Sequence, residues 1–471
     1  MNFDLIVIGS GPAGQKAALQ GAKAGKSVAI IEEFPAVGGG CVHLGTLPSK
    51  SFRESVYRYS LSARGSLGAE MDTAQDRGKR KMQMPDMKRL LKRRDRVVSG
   101  EAQVIFDQLK RNGVTIFHGK ARFKSRTEVQ VESKKGKKLL NAPFVFIAVG
   151  ARPVSPAHVA IDGTRVVDSN TVLRLKKVPK SMVVLGGGII GCEYASMFGM
   201  AGTKVHLVDR RHEVLASVDR EVANVLVERF LTWGMQLHLK TEADRIEKSS
   251  RGVKVHLSNG EKVQTDVVLV TLGRFGNTEG LGLTEVGVDT DERGLIKVDN
   301  CYRTSVANIF AVGDVVGAPA LASTSLEQGR IACRNAFGLE VDPLSSLFPY
   351  GIYTIPEISM VGPTEEDLKS RKIDYVVGRA QYKELARGQI VGDRWGLLKL
   401  LVDRKTLKLL AVHIIGDNAA DLVHIGQAVM ALDGDVNYFI RTVFNYPTLA
   451  EAYKTAAFHA INSIKGATKT R

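Results

Sequence analysis

The sequence predicts an α/β protein in which one strand–loop–helix unit occurs twice, followed by a C-terminal α+β domain. The first unit begins with the apolar run 3–8, which leads into the glycine-rich segment Gly9–Gly14 and an alanine-rich stretch. The second begins with the apolar run 181–185, which leads into Gly186–Gly191. Both segments follow the pattern GxGxxG between a strand and a helix, which is typical of Rossmann-like folds.

An acidic residue completes each unit at the same distance from its glycines. Glu32 lies 23 positions after Gly9, and Asp209 lies 23 positions after Gly186, each at the end of a predicted strand. In this pattern the first glycine forms a tight turn, the second admits a pyrophosphate, and the third packs helix on strand. The acid accepts hydrogen bonds from a ribose. Each unit is therefore predicted to bind a dinucleotide, and a βα turn without a ligand is the alternative.

The remaining segments are interpreted from their composition and from the alternation of apolar and polar residues. Residues 65–85 are small, polar and charged, which predicts an exposed insertion before a basic helix at Pro85–Arg111. An alternating stretch that ends at Leu140 predicts a β-meander, and the apolar run 144–150 predicts a buried strand. At 471 residues, the chain is long enough for about three domains.

The net charge of +17 is the unusual bulk property. Basic residues are densest at 77–96, which could indicate binding to nucleic acid. However, Asp76, Asp86 and Asp95 interrupt the run, and it lacks aromatic residues that could stack on bases. A solvated basic surface is the favoured interpretation, and attraction of anionic dinucleotides is a second.

The four cysteines are too few and too scattered for a disulfide framework or a metal site. The first predicted strand starts close to Met1, so we expect no secretory signal, and the sequence has no apolar run long enough to span a bilayer. We therefore expect a cytoplasmic protein without a metal centre.

A third glycine-rich segment, Gly38–Lys50, contains the most specific pattern in the chain. Three glycines precede Cys41, at a loop-to-helix junction that favours a thiolate, and Pro48-Ser49-Lys50 follows. This segment resembles the active site of the FAD-dependent pyridine nucleotide-disulfide oxidoreductases. In that family a second cysteine lies five positions after the first, but the residue here is Thr46.

A C-terminal segment departs from the same family pattern at a second position. Residues 444–451 resemble the family segment that crosses to the partner subunit, where a histidine acts as acid–base partner of the dithiol. Tyr446 occupies the histidine position, while Glu451 is retained. Because both halves of the dithiol machinery are changed, the resemblance implies a different reaction and is strongest to the transhydrogenase branch of the family.

The resemblance also assigns domains and site residues. It implies an FAD-binding domain at 1–150 completed by 271–345, an NAD(P)-binding domain at 151–270, and a dimerisation domain at 346–471. The implied flavin-binding residues are Gly9, Gly11, Pro12, Ala13, Gly14, Glu32, Glu33, Val37, Gly38, Gly39, Gly40, Cys41, Lys50, Ala121, Gly150, Gly273 and Asp314. The implied nicotinamide-binding residues are Gly186, Gly188, Ile189, Gly191, Asp209 and Arg210.

Three residues are implied to take part in the chemistry. Lys50 is expected to lie near flavin N5 and to pair with Glu193, and Cys41 is expected beside the flavin as a lone thiol. A structural ion pair is the alternative for Lys50 and Glu193, and Asp314 could instead cap a turn. His43, His413 and His424 are interpreted as structural histidines.

The resulting functional expectation is FAD-dependent hydride transfer between NADPH and NAD⁺ by a homodimer or higher homo-oligomer. The cofactors would be FAD, NAD and NADP. One alternative is an NAD(P)H oxidase or quinone reductase of the same fold. The other is a flavoprotein retained as a binding module, with nucleic acid bound through the basic stretch, although we do not expect a nucleic-acid partner.

Overall fold

The computed structural model describes residues 1–64, 84–154, 156, 159–342 and 344–466. Most of the predicted insertion at 65–85 lies outside these residues, as does the first part of the basic stretch 77–96. The described chain divides into two compact units. One comprises 1–52, 91–156 and 272–345, and the other comprises 53–90, 157–271 and 346–471.

The helices of the described ranges, in chain order, are α1 (Pro12–Lys23), α2 (Gly39–His43), α3 (Thr46–Arg64), α4 (Met87–Arg111), α5 (Ile189–Met200), α6 (Arg220–Thr232), α7 (Leu283–Val286), α8 (Ala322–Ala336), α9 (Glu365–Ser370), α10 (Ala386–Val391), α11 (Ala419–Ala431), α12 (Asn437–Arg441) and α13 (Glu451–Gly466). The basic helix was predicted from Pro85 and begins two residues later, at Met87. Within the described ranges, none of these helices is long and apolar enough to cross a membrane.

The first unit is built on a five-stranded parallel sheet in the order β18-β7-β1-β2-β3. Its strands are β1 (Leu5–Ile8), β2 (Val28–Glu32), β3 (Thr115–His118), β7 (Phe144–Ile147) and β18 (Ile309–Ala311). The alternation of side chains along β1 separates two cores. Leu5 and Val7 pack with α1 and α8, whereas Ile6 and Ile8 pack with a three-stranded antiparallel sheet.

That antiparallel sheet is the predicted β-meander, formed by β4 (Lys120–Phe123), β5 (Glu128–Ser133) and β6 (Gly136–Asn141). It is inserted between β3 and β7. A two-stranded ribbon of β8 (Ala151–Pro153) and β17 (Arg274–Gly276) completes the unit.

The second unit contains another five-stranded parallel sheet, in the order β12-β11-β10-β16-β9. Its strands are β9 (Val166–Asp168), β10 (Ser181–Leu185), β11 (Lys204–Asp209), β12 (Gln236–Leu239) and β16 (Val267–Val270). An antiparallel meander of β13 (Ala243–Ser249), β14 (Gly252–Leu257) and β15 (Lys262–Thr265) covers one face. The two predicted dinucleotide folds therefore repeat both the sheet order and the position of the meander.

The C-terminal part of the second unit has a different architecture. An antiparallel sheet in the order β19-β20-β23-β22-β21 packs against α11 and α13 around an apolar core. Its strands are β19 (Tyr350–Ile352), β20 (Ile358–Val361), β21 (Tyr375–Gln381), β22 (Leu397–Asp403) and β23 (Leu409–Ile415). Strand pairing is therefore parallel in the main sheet of residues 157–271 and antiparallel in the sheet formed after residue 346.

Candidate dinucleotide and active sites

The first glycine loop joins β1 to α1, and two of its glycines are required by close backbone contacts. Gly9 has φ +102°, and a Cβ there would collide with the carbonyl oxygen of Ala148. A Cβ on Gly14 would collide with the carbonyl oxygen of Gly9. Gly11, at the N-cap of α1, is different because a Cβ there would meet no atom within 4 Å. Open space beside the first N–H groups of a helix fits an anionic pyrophosphate.

Glu32 lies at the end of β2, and its carboxylate braces this loop through hydrogen bonds. One carboxylate oxygen accepts hydrogen bonds from the backbone N–H of Ser10, at 3.1 Å, and from the Ser10 hydroxyl. The other accepts from the N–H of Phe34 at 2.8 Å. The Glu32 side chain is almost completely buried. It therefore has a structural role in shaping the loop, and its expected bond to a ribose stays a prediction.

The segment that contains Cys41 packs directly on the first loop. The Gly38 N–H donates to the Ser10 hydroxyl at 2.9 Å. Gly39 has φ +58°, and a Cβ there would lie 2.8 Å from the Cα of Gly11. Val37, which precedes these glycines, is buried. The glycines at 38 and 39 thus bring the start of α2 against the proposed pyrophosphate site.

Ser10 is a further residue of this site, absent from the sequence-based predictions, and its hydroxyl links the loop, Glu32 and Gly38. It occupies the variable position between the first two glycines. A hydroxyl at that position, followed by a buried acid 22 residues later, is the sequence signal that could have indicated this role.

The predicted thiolate at Cys41 is wrong. Burial raises the pKa of the Cys41 thiol, and the negative charge of Asp314 raises it further. A hydrogen bond with the Thr46 side chain and the positive charge of Lys50 oppose this increase but do not overcome it. Cys41 lies inside α2, which is only five residues long, and α3 begins at Thr46. These surroundings therefore disfavour the thiolate form of Cys41.

The histidines that we interpreted as structural are held by local hydrogen bonds. The Nε2 atom of His43 lies 3.1 Å and 3.0 Å from the carbonyl oxygens of Ala36 and Val37. His413 Nε2 lies 3.0 Å from the Pro363 carbonyl oxygen, and His424 Nδ1 lies 2.8 Å from Gln427.

Asp314 lies in a 3₁₀ turn, Gly313–Val316, directly after β18. The N-cap of this turn is Val312, so the alternative that Asp314 caps it is wrong. Burial raises the pKa of Asp314, and Arg274 partly opposes this effect. Gly313 has φ +80° and donates its N–H to the side chain of Gln328 at 2.8 Å.

The remaining predicted flavin residues of the first unit lie on its periphery and on the ribbon. Ala121 pairs with Val131 in the meander, and exposed Glu33 forms an ion pair with Lys120 at 3.3 Å. On the ribbon, the carbonyl oxygens of Gly150 and Gly273 accept hydrogen bonds from the N–H groups of Asn277 and Val154 at 3.0 Å and 2.9 Å. Pro12 and Ala13 open α1, whereas Gly40 lies within α2.

The second glycine loop repeats the geometry of the first. Gly186 has φ +106°, and a Cβ there would lie 2.6 Å from the carbonyl oxygen of Thr271. A Cβ on Gly191 would collide with the carbonyl oxygen of Gly186. Gly188 lies at the N-cap of α5, and a Cβ there would again meet no atom within 4 Å. Ile189 is the first residue of α5. This loop also fits a pyrophosphate.

Asp209 has the same position relative to the second loop that Glu32 has to the first. Its carboxylate accepts the N–H of Gly187 at 2.6 Å and the N–H of Arg211 at 2.7 Å. Arg210 and Arg211 are exposed, and Asp209 itself is half-buried. The strand end therefore carries an acid that contacts the loop through Gly187, followed by two exposed basic residues.

Glu193, at the start of the second turn of α5, is fixed by the backbone of a distant segment. Its carboxylate accepts the N–H of Tyr353 at 2.8 Å, and the side chain is buried. Lys50 lies on α3, one turn after Thr46. Lys50 and Glu193 belong to different compact units, and their pairing stays a prediction.

Two phosphate-type glycine loops, each with its bracing acid, define a protein that binds two dinucleotides. The chain belongs to the pyridine nucleotide-disulphide oxidoreductase family, whose model matches residues 3–329. The dimerisation domain of the same family matches residues 348–457. The family uses FAD with NAD or NADP, so the chain is an FAD-dependent oxidoreductase.

Curated relatives match over nearly the full length. A soluble pyridine nucleotide transhydrogenase of Mycobacterium tuberculosis is 44% identical and aligns with 100% of this chain and 99% of its own length. One from Photorhabdus laumondii is 42% identical, with coverages of 98% and 99%.

Solved structures show the same fold. The HOCl-induced flavoprotein disulfide reductase RclA from Escherichia coli is 27% identical and superposes with a TM-score of 0.87, covering 97% of this chain and 99% of that one. LpdA from Mycobacterium tuberculosis is 26% identical, with a TM-score of 0.86 and coverages of 96% and 99%.

Proposed function

We propose that this chain is an FAD-dependent transhydrogenase that transfers hydride from NADPH to NAD⁺. The observation that carries the proposal is the pairing of two intact dinucleotide loops with Cys41 as a lone cysteine, since Thr46 stands where the family places the second one. The full-length relatives named as transhydrogenases support the same reaction. When bound, FAD would supply the chemistry by accepting the hydride and returning it.

The residues of the first unit hold the flavin in this proposal. The open backbone at Gly11 binds the pyrophosphate, and Gly38–Cys41 lies against the same loop. Lys50 provides a positive charge that favours the reduced cofactor, with Glu193 as its partner. Asp314 accepts hydrogen bonds from the ribityl chain.

The residues of the second unit bind the two nicotinamide nucleotides in turn. The open backbone at Gly188 receives the pyrophosphate. Asp209 accepts from the ribose 2′-OH of NAD, and Arg210 binds the 2′-phosphate of NADP through charge-assisted bonds. One loop can then serve both nucleotides because the acid and the arginine are adjacent.

A dithiol relay is not part of this function. Such a relay needs an attacking thiolate and a second sulfur that closes an internal disulfide. Thr46 has no sulfur, and burial raises the pKa of the Cys41 thiol, which disfavours the attacking thiolate. Tyr446 is 75% exposed and, as a phenol, is a poor base near neutral pH.

We also propose that 1–150 with 271–345 forms the FAD domain, that 151–270 forms the NAD(P) domain and that 346–471 forms the dimerisation domain. The enzyme would work as a homodimer in the cytoplasm, without a nucleic-acid partner. Light scattering of the purified protein tests the dimer.

The test of the reaction is to follow each half-reaction separately. NADPH should reduce the bound flavin, and NAD⁺ should reoxidise it without air at a comparable rate. Titration with dithionite should consume two electrons per subunit, with no turnover of lipoamide.

Two results would contradict this proposal. Consumption of four electrons together with lipoamide turnover would indicate a dithiol enzyme. Reoxidation only by oxygen or a quinone would favour the alternative oxidase or quinone reductase.

A further inference from the structure

The segment Tyr353–Glu357 connects β19 to β20 and binds the first two turns of α5. The N–H of Tyr353 donates to the Glu193 carboxylate at 2.8 Å, and the N–H of Ile355 donates to the Ser196 hydroxyl at 3.1 Å. The Ser196 hydroxyl in turn donates to the Glu193 carbonyl oxygen at 2.7 Å. Because Ser196 is fully buried, water does not compete for these bonds.

The same segment binds α3 through Arg53. The guanidinium donates from Nε to the Thr354 carbonyl oxygen at 3.3 Å and forms an ion pair with the Glu357 carboxylate at 3.0 Å. Arg53 is 94% buried. Burial raises the pKa of Glu357, and the positive charge of Arg53 opposes this increase. Removal of Arg53 would therefore leave Glu357 buried without this cation, which is costly.

Further contacts hold α3 in this position. One turn after Arg53, the Tyr57 hydroxyl donates to Asp417 at 2.8 Å, and the Arg53 guanidinium lies 5.0 Å from the Tyr57 ring centroid. Asp417 is itself held in place, because its backbone N–H donates to the Asp393 carboxylate at 2.7 Å. The Arg53 end of α3 is thus anchored by charged and polar groups on both sides.

Successive residues of the segment are shared between two helices. Tyr353 and Ile355 are bound by α5, whereas Thr354 and Glu357 are bound by α3. Lys50 precedes Arg53 by three residues on α3, so both helices that are implied to carry the charged pair are held by one short segment.

We propose that Arg53 and Ser196 are positioning residues that fix the Glu193 carboxylate for hydride transfer by holding Tyr353–Glu357 in place. The inference rests on the proposed function, because it takes Glu193 to balance the positive charge of Lys50 beside the flavin. A displaced Glu193 leaves that charge uncompensated, which stabilises the reduced cofactor. The flavin potential rises, and transfer to NAD⁺ slows more than reduction by NADPH.

The experiment compares Arg53→Gln and Ser196→Ala with Arg58→Gln. Arg58 is the matched control because it lies on the same helix but is exposed and pairs with Glu54. We expect about a tenfold change in the ratio of the two half-reaction rates for the test variants, equivalent to a rise of about 30 mV in a two-electron potential. Arg58→Gln should change neither the ratio of the half-reaction rates nor the flavin potential. Arg53→Lys, which retains a cation for Glu357, should recover most of the potential.

Amide hydrogen exchange gives a readout that does not require activity. In FAD-free and FAD-loaded protein, the N–H groups of Tyr353 and Ile355 should exchange at least tenfold faster in Ser196→Ala, but not in Arg58→Gln. This variant removes one buried hydroxyl, so it also tests the proposal if Arg53→Gln does not fold.

The two proposals fail in different ways. An unchanged potential, rate ratio and amide exchange in Ser196→Ala and Arg53→Lys, with normal transhydrogenation by the wild type, would overturn the positioning role alone. Absence of transhydrogenation in the wild type would overturn the proposed function, and the exchange rates would still decide whether the segment is held as described.

Discussion

The two glycine loops of this chain are close structural copies with different surroundings. In each, the first glycine contacts the carbonyl of a neighbouring strand end, Ala148 or Thr271, and the third contacts the first. In each, the bracing acid accepts the N–H of the second loop residue and that of the residue two positions after itself. The sheet order and the inserted meander also repeat. The backbone requirement for a pyrophosphate site is therefore met twice.

The two loops differ in the surroundings of their bracing acids. Glu32 is buried and receives an extra bond from Ser10, and the segment starting at Gly38 packs over the loop. Position 187 is glycine, so the second loop has no such hydroxyl, and Asp209 is half-buried between exposed arginines and the loop. The first loop is suited to a cofactor that stays bound, and the second to nucleotides that exchange.

The largest effect should come from filling the open position in each loop. Gly11→Val places a side chain where the pyrophosphate of FAD is proposed, and its Cβ would have no protein atom within 4 Å, so the variant should fold and lose its flavin. Gly188→Val should retain flavin but lose reduction by NADPH and NADH. The measurements are flavin absorbance per polypeptide and single-turnover reduction. Loss of flavin from Gly188→Val with retention in Gly11→Val would reverse the assignment of the two loops.

Much of this architecture could be predicted from sequence because it depends on short-range patterns. The glycine spacing, the acids at 32 and 209 and the alternating meander each lie within one supersecondary unit. Their outlines agree with the structure, and the family comparison confirms the fold. The roles of the individual site residues stay predictions.

What sequence could not provide depends on burial or on contacts between distant segments. The pKa of Cys41 follows from burial, which overcomes the nearby positive charge of Lys50. The anchor of Glu193 lies 160 positions away, at Tyr353, where only the fold brings an N–H to its carboxylate. In the sequence Arg53 resembles any charged residue of an amphipathic helix, and only the fold brings it to the Thr354 carbonyl oxygen and the Glu357 carboxylate.

A smaller effect should separate the two nucleotides at the second loop. Arg210→Ala should weaken binding of NADPH by about 1.5–3 kcal/mol, the range for hydrogen bonds to charged groups, and leave NADH nearly unchanged. Arg211→Ala is the matched control because Arg211 is equally exposed and adjacent. The measurement is the nucleotide concentration dependence of flavin reduction. Equal losses for NADPH and NADH in Arg210→Ala would show that this residue does not recognise the 2′-phosphate.

The smallest effect should distinguish the closed first loop from the open second one. Ser10→Ala removes a hydroxyl that donates to Glu32 and accepts from the N–H of Gly38, both buried. Because an N–H and a carboxylate lose a partner without gaining water, the free energy of unfolding should fall by roughly 1–2 kcal/mol. Ser27→Ala, which removes an exposed hydroxyl bonded to Asp4, is the control and should cost less than about 1 kcal/mol.

Urea unfolding of the FAD-free protein measures these changes without a contribution from the cofactor. The decrease in the free energy of unfolding should appear in the transition of the first unit, which contains Ser10. Nucleotide binding at the second loop should be unchanged. If Ser10→Ala were no more destabilising than Ser27→Ala, the hydroxyl would not brace the loop. The closed character of the first site would then depend on the glycine contacts at 9, 14 and 39, of which the second loop repeats the first two at 186 and 191.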